Sequence, residues 1–143
     1  MSVQPIHVAL AILYSSGKFL LQLRDNIPLI IYPGYWGLFG GHIEPGETPG
    51  VAVERELLEE IGYTPPMLLE FGCYSDSNVV RHVYHAPLSV ELNKLVLSEG
   101  WDMGLLTPEQ IRQGCSYSAV AEEVRPLAPP PQKILLDFIN RDV

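Results

Sequence analysis

Residues 41–63 read GHIEPGETPGVAVERELLEEIGY, and this stretch decides the fold. Its first ten residues hold three glycines and two prolines, a density that predicts an irregular loop. A helix is predicted next, because Thr48 is a good N-cap, Pro49 suits the first helical position and Gly62 suits the position after the last turn. We therefore predict a loop, a helix over about Pro49–Ile61, and a second loop.

Three glutamates share one side of this predicted helix. Because a helix turns by about 100° per residue, Glu60 lies about 40° from Glu56 in one direction and Glu59 about 60° from it in the other. Like charges this close repel one another unless a cation neutralises them, and all-oxygen ligands suit Mg²⁺ or Mn²⁺. The opposite side carries apolar residues that are expected to pack on a sheet: Val51, Leu57, Leu58 and Ile61.

The same helix also has a plainer interpretation as a solvated acidic face. In that case Arg55 and Glu59 would form an ordinary i,i+4 ion pair. The glycine-rich lead-in favours the metal interpretation, because Gly40, Gly41 and Gly46 allow backbone carbonyls to approach a metal ion or a phosphate closely.

Strands are predicted on both sides of the helix. Apolar runs at 6–14 and 18–24 flank a Ser-Ser-Gly turn and predict a hairpin. Further strands are predicted at 67–74, 79–92, 95–97 and 101–106. Helices are predicted at about 107–113 and 132–140. Strands around a central helix, with helices closing the chain, predict an α/β fold.

The composition and charge of the chain disfavour some classes of binding partner. The chain has 143 residues, with 9 Lys and Arg against 17 Asp and Glu, and its net charge is -8. Such an acidic chain is not expected to bind a nucleic acid polymer or an anionic membrane, and no apolar run approaches the roughly 20 residues of a membrane span. Cys73 and Cys115 form no disulfide framework, so we expect small buried side chains in a reducing, cytoplasmic compartment.

A family resemblance rests on fixed positions within Gly41 to Tyr63. The fixed positions are Gly41, Glu47, Arg55-Glu56, the apolar Leu57, Glu59-Glu60, Gly62 and the final apolar Tyr63. This pattern resembles the Nudix box. Tyr63 departs from the pattern, since an aliphatic residue is usual there. The resemblance implies a Nudix-like α/β/α sandwich with a mixed sheet, the box as loop-helix-loop, and a single Nudix hydrolase domain over residues 1–143.

The resemblance also implies an activity. Nudix hydrolases cleave a nucleoside diphosphate linked to a further group X, by attack of water at phosphorus with Mg²⁺ or Mn²⁺. By position, Glu56 and Glu60 resemble the principal metal ligands, and Glu59 resembles a third ligand or an orienter of water. The carbonyl of Gly40 resembles a backbone ligand.

The other box residues have implied roles as well. Glu47 and Arg55 resemble the pair that ties the box loop to its helix, with Gly41 as part of the same support. The general base is left open. Glu56 and Glu59 are the first candidates, and Glu99 is the second because related proteins often place an additional Glu on a later loop.

Substrate contacts are predicted outside the box. Arg24 is expected either to bind a substrate phosphate or to lie on the surface beside an acid. Tyr35, together with Tyr32 and Trp36, could stack on a base, although core packing is favoured for Trp36. His82 and His85 are interpreted as plain strand residues.

The substrate class stays open at this point. No Pro occupies 78–79, where ADP-ribose hydrolases often carry one, and Tyr84 is displaced from the position usual in dinucleoside polyphosphate hydrolases. A nucleoside triphosphate or its oxidised form is favoured. The alternatives are a nucleotide-sugar or ADP-ribose pyrophosphatase and a non-catalytic nucleotide-binding module. The oligomeric state is open, with a homodimer as one option.

Overall fold

The computed structural model describes residues 4–141, which fall into two compact units. The described part of the first unit comprises residues 4–13 and 39–96, and that of the second comprises residues 14–38 and 97–141. The predicted α/β class is confirmed, since the chain forms a mixed sheet with helices.

Nine strands and three helices are present in the described residues. The strands are β1 Ile6–Ser15, β2 Lys18–Leu23, β3 Trp36–Gly37, β4 Phe39–His42, β5 Leu69–Ser75, β6 Val79–Pro87, β7 Asp102–Leu106, β8 Cys115–Ser118 and β9 Glu123–Pro126. The helices are α1 Pro49–Ile61, α2 Pro108–Gln113 and α3 Pro129–Ile139, and a single 3-10 turn spans Leu92–Lys94.

In the first unit, α1 packs on a group of neighbouring strands. β4 pairs antiparallel with β1, β6 lies beside β1, and β5 pairs antiparallel with β6. The buried side of α1 is a stripe of Ala52, Val53, Leu57 and Ile61. Full burial of a leucine or isoleucine side chain stabilises the fold by about 1.5–3 kcal/mol, so this stripe fixes the helix on the strands.

Two members of the predicted apolar side are not buried. Leu58 is 59% exposed and Val51 is 55% exposed. The buried stripe follows the i, i+4, i+8 spacing from Val53 through Leu57 to Ile61, and Leu58 lies about 100° around the helix from Leu57. The prediction that Leu58 and Val51 pack on the sheet was therefore wrong.

The second unit has its own core. β2 pairs antiparallel with both β3 and β7, and β8 forms a hairpin with β9. α3 contributes Phe138, whose ring contacts Tyr14 and Phe19. Trp36 is 2% exposed, and its indole N–H donates to the carbonyl of Ser116 over 3.1 Å. Core packing is thus the role of Trp36.

Several predicted boundaries differ from the structure. No strand forms at 95–97, because the N–H of Leu95 closes a 3-10 turn on the carbonyl of Leu92. Gly41 and His42 belong to β4 rather than to the predicted loop. α3 begins at Pro129, since proline at the first helical positions lacks only an N–H that would have no partner there.

A hairpin and the positions of both cysteines also differ from the sequence predictions. The hairpin of β8 and β9 was not predicted, because its strands are only four residues long. Cys73 is exposed and Cys115 is only partly buried, so the prediction that both are buried was wrong. Among residues 4–141, no helix has the length and apolarity that crossing a bilayer requires.

Candidate active site

The box helix begins and ends where its capping residues predict. The hydroxyl of Thr48 accepts a hydrogen bond from the N–H of Val51 over 3.2 Å, which satisfies one of the free donors at the start of α1. Gly62 ends the helix in the left-handed region, with φ +67°. α1 therefore holds its glutamates in a fixed register relative to β4, on which it packs.

Glycine at two positions of β4 lets the backbone and the glutamates meet. At Gly40 φ is +138°, and a Cβ there would collide with the backbone of Ala9. At Gly41 a Cβ would lie 2.6 Å from the carboxyl carbon of Glu56. A side chain at either position would therefore push β1 or the Glu56 carboxylate away.

The carboxylate of Glu60 is fixed by the same strand. Its Oε1 accepts a hydrogen bond from the N–H of Gly40 over 2.9 Å. This contact joins two of the predicted metal-site residues, and it orients the Glu60 carboxylate beside the backbone of Gly40, whose carbonyl is the predicted backbone ligand.

Arg55 ties the loop of the box to its helix. Its guanidinium donates twice to the carboxylate of Glu47, from Nε over 2.7 Å and from Nη2 over 3.0 Å. Glu47 also accepts the N–H of Glu44 over 2.9 Å, and Arg55 Nη2 donates to the carbonyl of His42 over 3.1 Å. A bidentate pair of this kind is stronger and more directional than a single hydrogen bond.

These contacts change the acid–base properties of both partners. The hydrogen bonds from Arg55, together with the Glu44 N–H, lower the pKa of Glu47 from 4.5 to about 2. The hydrogen bond to Glu47 raises the pKa of Arg55, although partial burial opposes this change. Both side chains are therefore charged at neutral pH.

Arg55 also reaches the candidate metal-binding carboxylates. Its Nη1 lies 3.0 Å from Glu56 and 3.3 Å from Glu59. Sequence reasoning treated the glutamates of the helix as mutually repelling charges that need a cation. The structure shows that one guanidinium already supplies part of that neutralisation.

The three carboxylates differ in environment. The side chain of Glu56 is 18% exposed, whereas that of Glu59 is 59% exposed. Glu60 is partly buried against β4. Glu56 and Glu60 therefore face the strand, and Glu59 extends toward solvent.

The donor set fits Mg²⁺ or Mn²⁺. Within residues 4–141, no three His, Cys, Asp or Glu side chains already converge closely enough to hold a metal ion. Mg²⁺ does not require such a cage, because proteins usually hold it through one or two carboxylates while it keeps several waters. Glu56 and Glu60 offer oxygen ligands beside a glycine backbone, and Gly41 leaves the space that the Glu56 carboxylate occupies.

The remaining predicted residues belong to the second unit. The N–H of Arg24 donates to the carbonyl of Tyr35 over 3.0 Å, and the ring of Tyr35 lies 5.4 Å from that of Tyr32. Arg24 Nε is buried, and it has no hydrogen-bond partner among the described residues. Glu99 is exposed. The structure thus brings the box residues together in one unit and holds Arg24, Tyr35 and Glu99 in the other.

A family model supplies the identification of the class. The NUDIX domain model matches residues 4–129, which is most of the chain and includes both β4 and α1. The chain therefore belongs to the Nudix family.

Named relatives match shorter segments. A Bacillus subtilis (strain 168) protein named "Putative 8-oxo-dGTP diphosphatase" is 38% identical over 63 residues, which are 44% of this chain and 38% of that protein. Nucleoside triphosphatase NudI of Enterobacter sp. (strain 638) is 53% identical over 32 residues, 22% of this chain and 23% of that protein. The chain thus spans less than two fifths of the length of these relatives.

Solved structures match the whole fold. The NUDIX domain of Shewanella oneidensis NrtR, solved in complex with ADP ribose, superposes with a TM-score of 0.73 at 21% identity and covers 99% of this chain and 90% of that one. A MutT NUDIX hydrolase from Burkholderia pseudomallei superposes with a TM-score of 0.70 at 24% identity, covering 94% of this chain and 98% of that one. At these identities the likeness establishes the fold alone.

Proposed function

We propose that this chain is a pyrophosphohydrolase that cleaves the diphosphate linkage of a nucleoside diphosphate joined to another group. One observation carries the proposal. The carboxylates of Glu56 and Glu60 meet the backbone of Gly40 and Gly41, where oxygen ligands suited to a divalent cation are held by hydrogen bonds and close packing. A solvated acidic face would need neither contact.

The residues of the box would have two kinds of role, metal binding and positioning. Glu56 and Glu60 would hold a divalent cation, with the carbonyl of Gly40 as a further ligand. When bound, such a cation neutralises the charge of the diphosphate and makes water a better nucleophile. Arg55 and Glu47 act as positioning residues, because their bidentate pair fixes the loop that leads into α1.

Among the glutamates, Glu59 is the favoured general base. Glu56 is held by a 3.0 Å contact to Arg55, and Glu60 accepts the N–H of Gly40. Glu59 makes only a longer contact and is more exposed than Glu56, so its carboxylate is the freest of the three to accept a proton from water. General bases typically contribute about 10²–10⁴-fold to a rate. Glu99 remains the second candidate.

Arg24 and Tyr35 are proposed to contact the substrate. A buried donor with no partner is unfavourable for the fold, and an anionic oxygen would satisfy Arg24 Nε. The Tyr35 ring, beside Tyr32, offers an aromatic surface on which a base can stack.

The favoured substrate is a nucleoside triphosphate or its oxidised form. The names of the Bacillus subtilis and Enterobacter relatives support this choice. A second candidate is a module that binds ADP-ribose or a nucleotide sugar with or without cleavage, because the NrtR domain was solved with ADP ribose. The three box glutamates of this chain favour catalysis.

A substrate panel tests the proposal. Purified protein with Mg²⁺ is given dGTP, 8-oxo-dGTP, ADP-ribose, diadenosine polyphosphates and nucleotide sugars, and the products are separated by chromatography. We expect cleavage of the diphosphate bond in a nucleoside triphosphate, and loss of that cleavage in excess EDTA. Turnover that persists in EDTA, or binding of ADP-ribose without any cleavage across the panel, would contradict the proposal.

A further inference from the structure

Two histidines from neighbouring strands contact each other in the first unit. His7 on β1 and His82 on β6 are 75 positions apart in the chain, and His7 Nδ1 lies 3.0 Å from His82 Nε2. Their rings are nearly parallel, with an interplanar angle of 21° and centroids 5.3 Å apart. Sequence reasoning saw no partner for His82, because nothing in the local pattern indicates which residue of β1 lies beside it.

The spacing of the two nitrogens is close to that of a chelate. Two imidazole nitrogens that bind one ion at about 2.0–2.1 Å each, at a tetrahedral angle, lie about 3.4 Å apart. At 3.0 Å the two nitrogens share a hydrogen bond, so an ion would replace the proton between them and both lone pairs would turn toward it. Both residues lie on paired strands, so their backbones are already fixed at the required separation.

The surroundings favour a cation over an anion. Glu70 lies on β5, which pairs with β6, and its charge acts on His82. Partial burial and the neighbouring His7 lower the pKa of His82, whereas Glu70 opposes this change, and the unprotonated ring nitrogen is the form that binds a metal.

The pair is also accessible. His82 lines an open pocket of about 670 Å³ in the same unit, together with Glu70, Cys73 and Tyr84. His7 is exposed. Thr48, Pro49 and Gly50 at the start of the box helix also line this pocket, but none of the helix glutamates does, so the histidine pair uses different ligands from the candidate active site.

We propose that His7 and His82 form a two-histidine chelate for a borderline divalent transition metal ion such as Zn²⁺. Imidazole suits Zn²⁺, Ni²⁺ and Cu²⁺, whereas the oxygen ligands of the box suit Mg²⁺ and Mn²⁺. Since no third His, Cys, Asp or Glu among residues 4–141 completes a metal-binding group, the remaining coordination positions belong to water.

Zinc titration in the presence of excess Mg²⁺ tests the chelate. Mg²⁺ occupies the oxygen ligands of the box, and isothermal titration calorimetry then follows the binding of Zn²⁺ to the full chain. We expect one binding event that weakens by at least about tenfold in His7→Gln and in His82→Gln, since loss of an outer-shell partner alone weakens metal sites by 10–100-fold. His85→Gln is the matched control, because His85 lies on the same strand but packs edge-on against Phe71.

A second measurement does not depend on the variants folding. In the unaltered protein, which contains four histidines, Zn²⁺ should shift the imidazole NMR signals of His7 and His82 and leave those of the other two in place. Absence of Zn²⁺ binding in excess Mg²⁺ would overturn the proposal. Equal binding by all three variants, or a shift confined to other histidines, would do the same.

Discussion

Two arginines in different units of this protein have opposite surroundings. Arg55, in the box, lies within 4 Å of four carboxylates, those of Glu44, Glu47, Glu56 and Glu59. Arg24, the residue after β2, has a buried Nε with no hydrogen-bond partner among the described residues. Both carry the same charge, but the Nε of Arg55 donates to Glu47, whereas the buried Nε of Arg24 has no protein partner among the described residues.

The difference separates a residue that stabilises the box from one that we propose to be satisfied by the substrate. A satisfied guanidinium stabilises the fold, and removing it leaves carboxylates without their partner. An unsatisfied donor disfavours the fold until something binds it. The predictions below test this comparison, beginning with the carboxylates that Arg55 helps to position.

The largest effect is expected at Glu60. Gln at this position keeps an oxygen that can accept the N–H of Gly40, but it removes a charge from the candidate metal site. We expect kcat/KM to fall by at least about 100-fold, since a metal ion supplies several kcal/mol of transition-state stabilisation and each 1.36 kcal/mol is tenfold in rate. The free energy of unfolding without metal should change by less than about 0.5 kcal/mol.

A matched control lies on the same helix. The side chain of Glu54 is exposed and makes no hydrogen bond or ion pair among residues 4–141, so Glu54→Gln should retain the original kcat/KM. If Glu60→Gln turned over at the original rate, or lost activity only because it unfolded, the role assigned to Glu60 would be wrong.

The second effect is expected at Arg55. Arg55→Met removes the bidentate pair with Glu47 and leaves several carboxylates close together, so both the thermal midpoint and the activity should fall. A reduction of kcat by about 10–100-fold is expected, because a displacement of about 1 Å in a catalytic site can cost 10²-fold. Arg55→Lys should restore little, because an ammonium cannot donate in the fixed fork geometry. Full activity of Arg55→Met would contradict the positioning role.

A smaller effect is expected at Arg24, where substitution should not lower the stability of the fold as it does at Arg55. Arg24→Met removes a buried donor that has no partner, so the unfolding free energy should stay the same or rise. KM should rise by about tenfold, equivalent to about 1.4 kcal/mol of binding, while kcat stays similar. Arg112→Met on the exposed surface of α2 controls for the loss of one positive charge. Loss of stability without a change in KM would show that Arg24 is structural.

The smallest effect concerns the pH dependence of stability. The pKa of Glu47 is lowered from 4.5 to about 2, so its contribution is present above pH 4.5 and is lost as the pH falls toward 2. Between about pH 2 and pH 4.5, the free energy of unfolding measured with urea should therefore change less steeply with pH in Glu47→Gln than in the original protein. Asp76 has a similarly lowered pKa of about 2, so Asp76→Asn should flatten the same range independently. An unchanged slope in Glu47→Gln would mean that the pair with Arg55 contributes little.

Sequence reasoning succeeded where the signals are local. The bounds of α1 follow from Thr48, Pro49 and Gly62, whose effects depend on the backbone within one turn of each residue. The end of β6 was predicted too late, at 92 rather than at Pro87, although proline disfavours continuation of a strand. Which apolar residues of α1 are buried was only partly predicted, because Leu57 and Leu58 are equally apolar and the packing decides between them.

The sequence by itself determined the helix of the box, the side of that helix on which Glu56, Glu59 and Glu60 lie, and the family. Each depends on residue types at fixed short spacings. Only the tertiary structure decided that Glu60 accepts the N–H of Gly40, that Arg55 reaches four carboxylates, and that His7 contacts His82. These contacts depend on how strands align with one another and with α1, and strand register is set by the packing of the whole sheet rather than by neighbours in the chain.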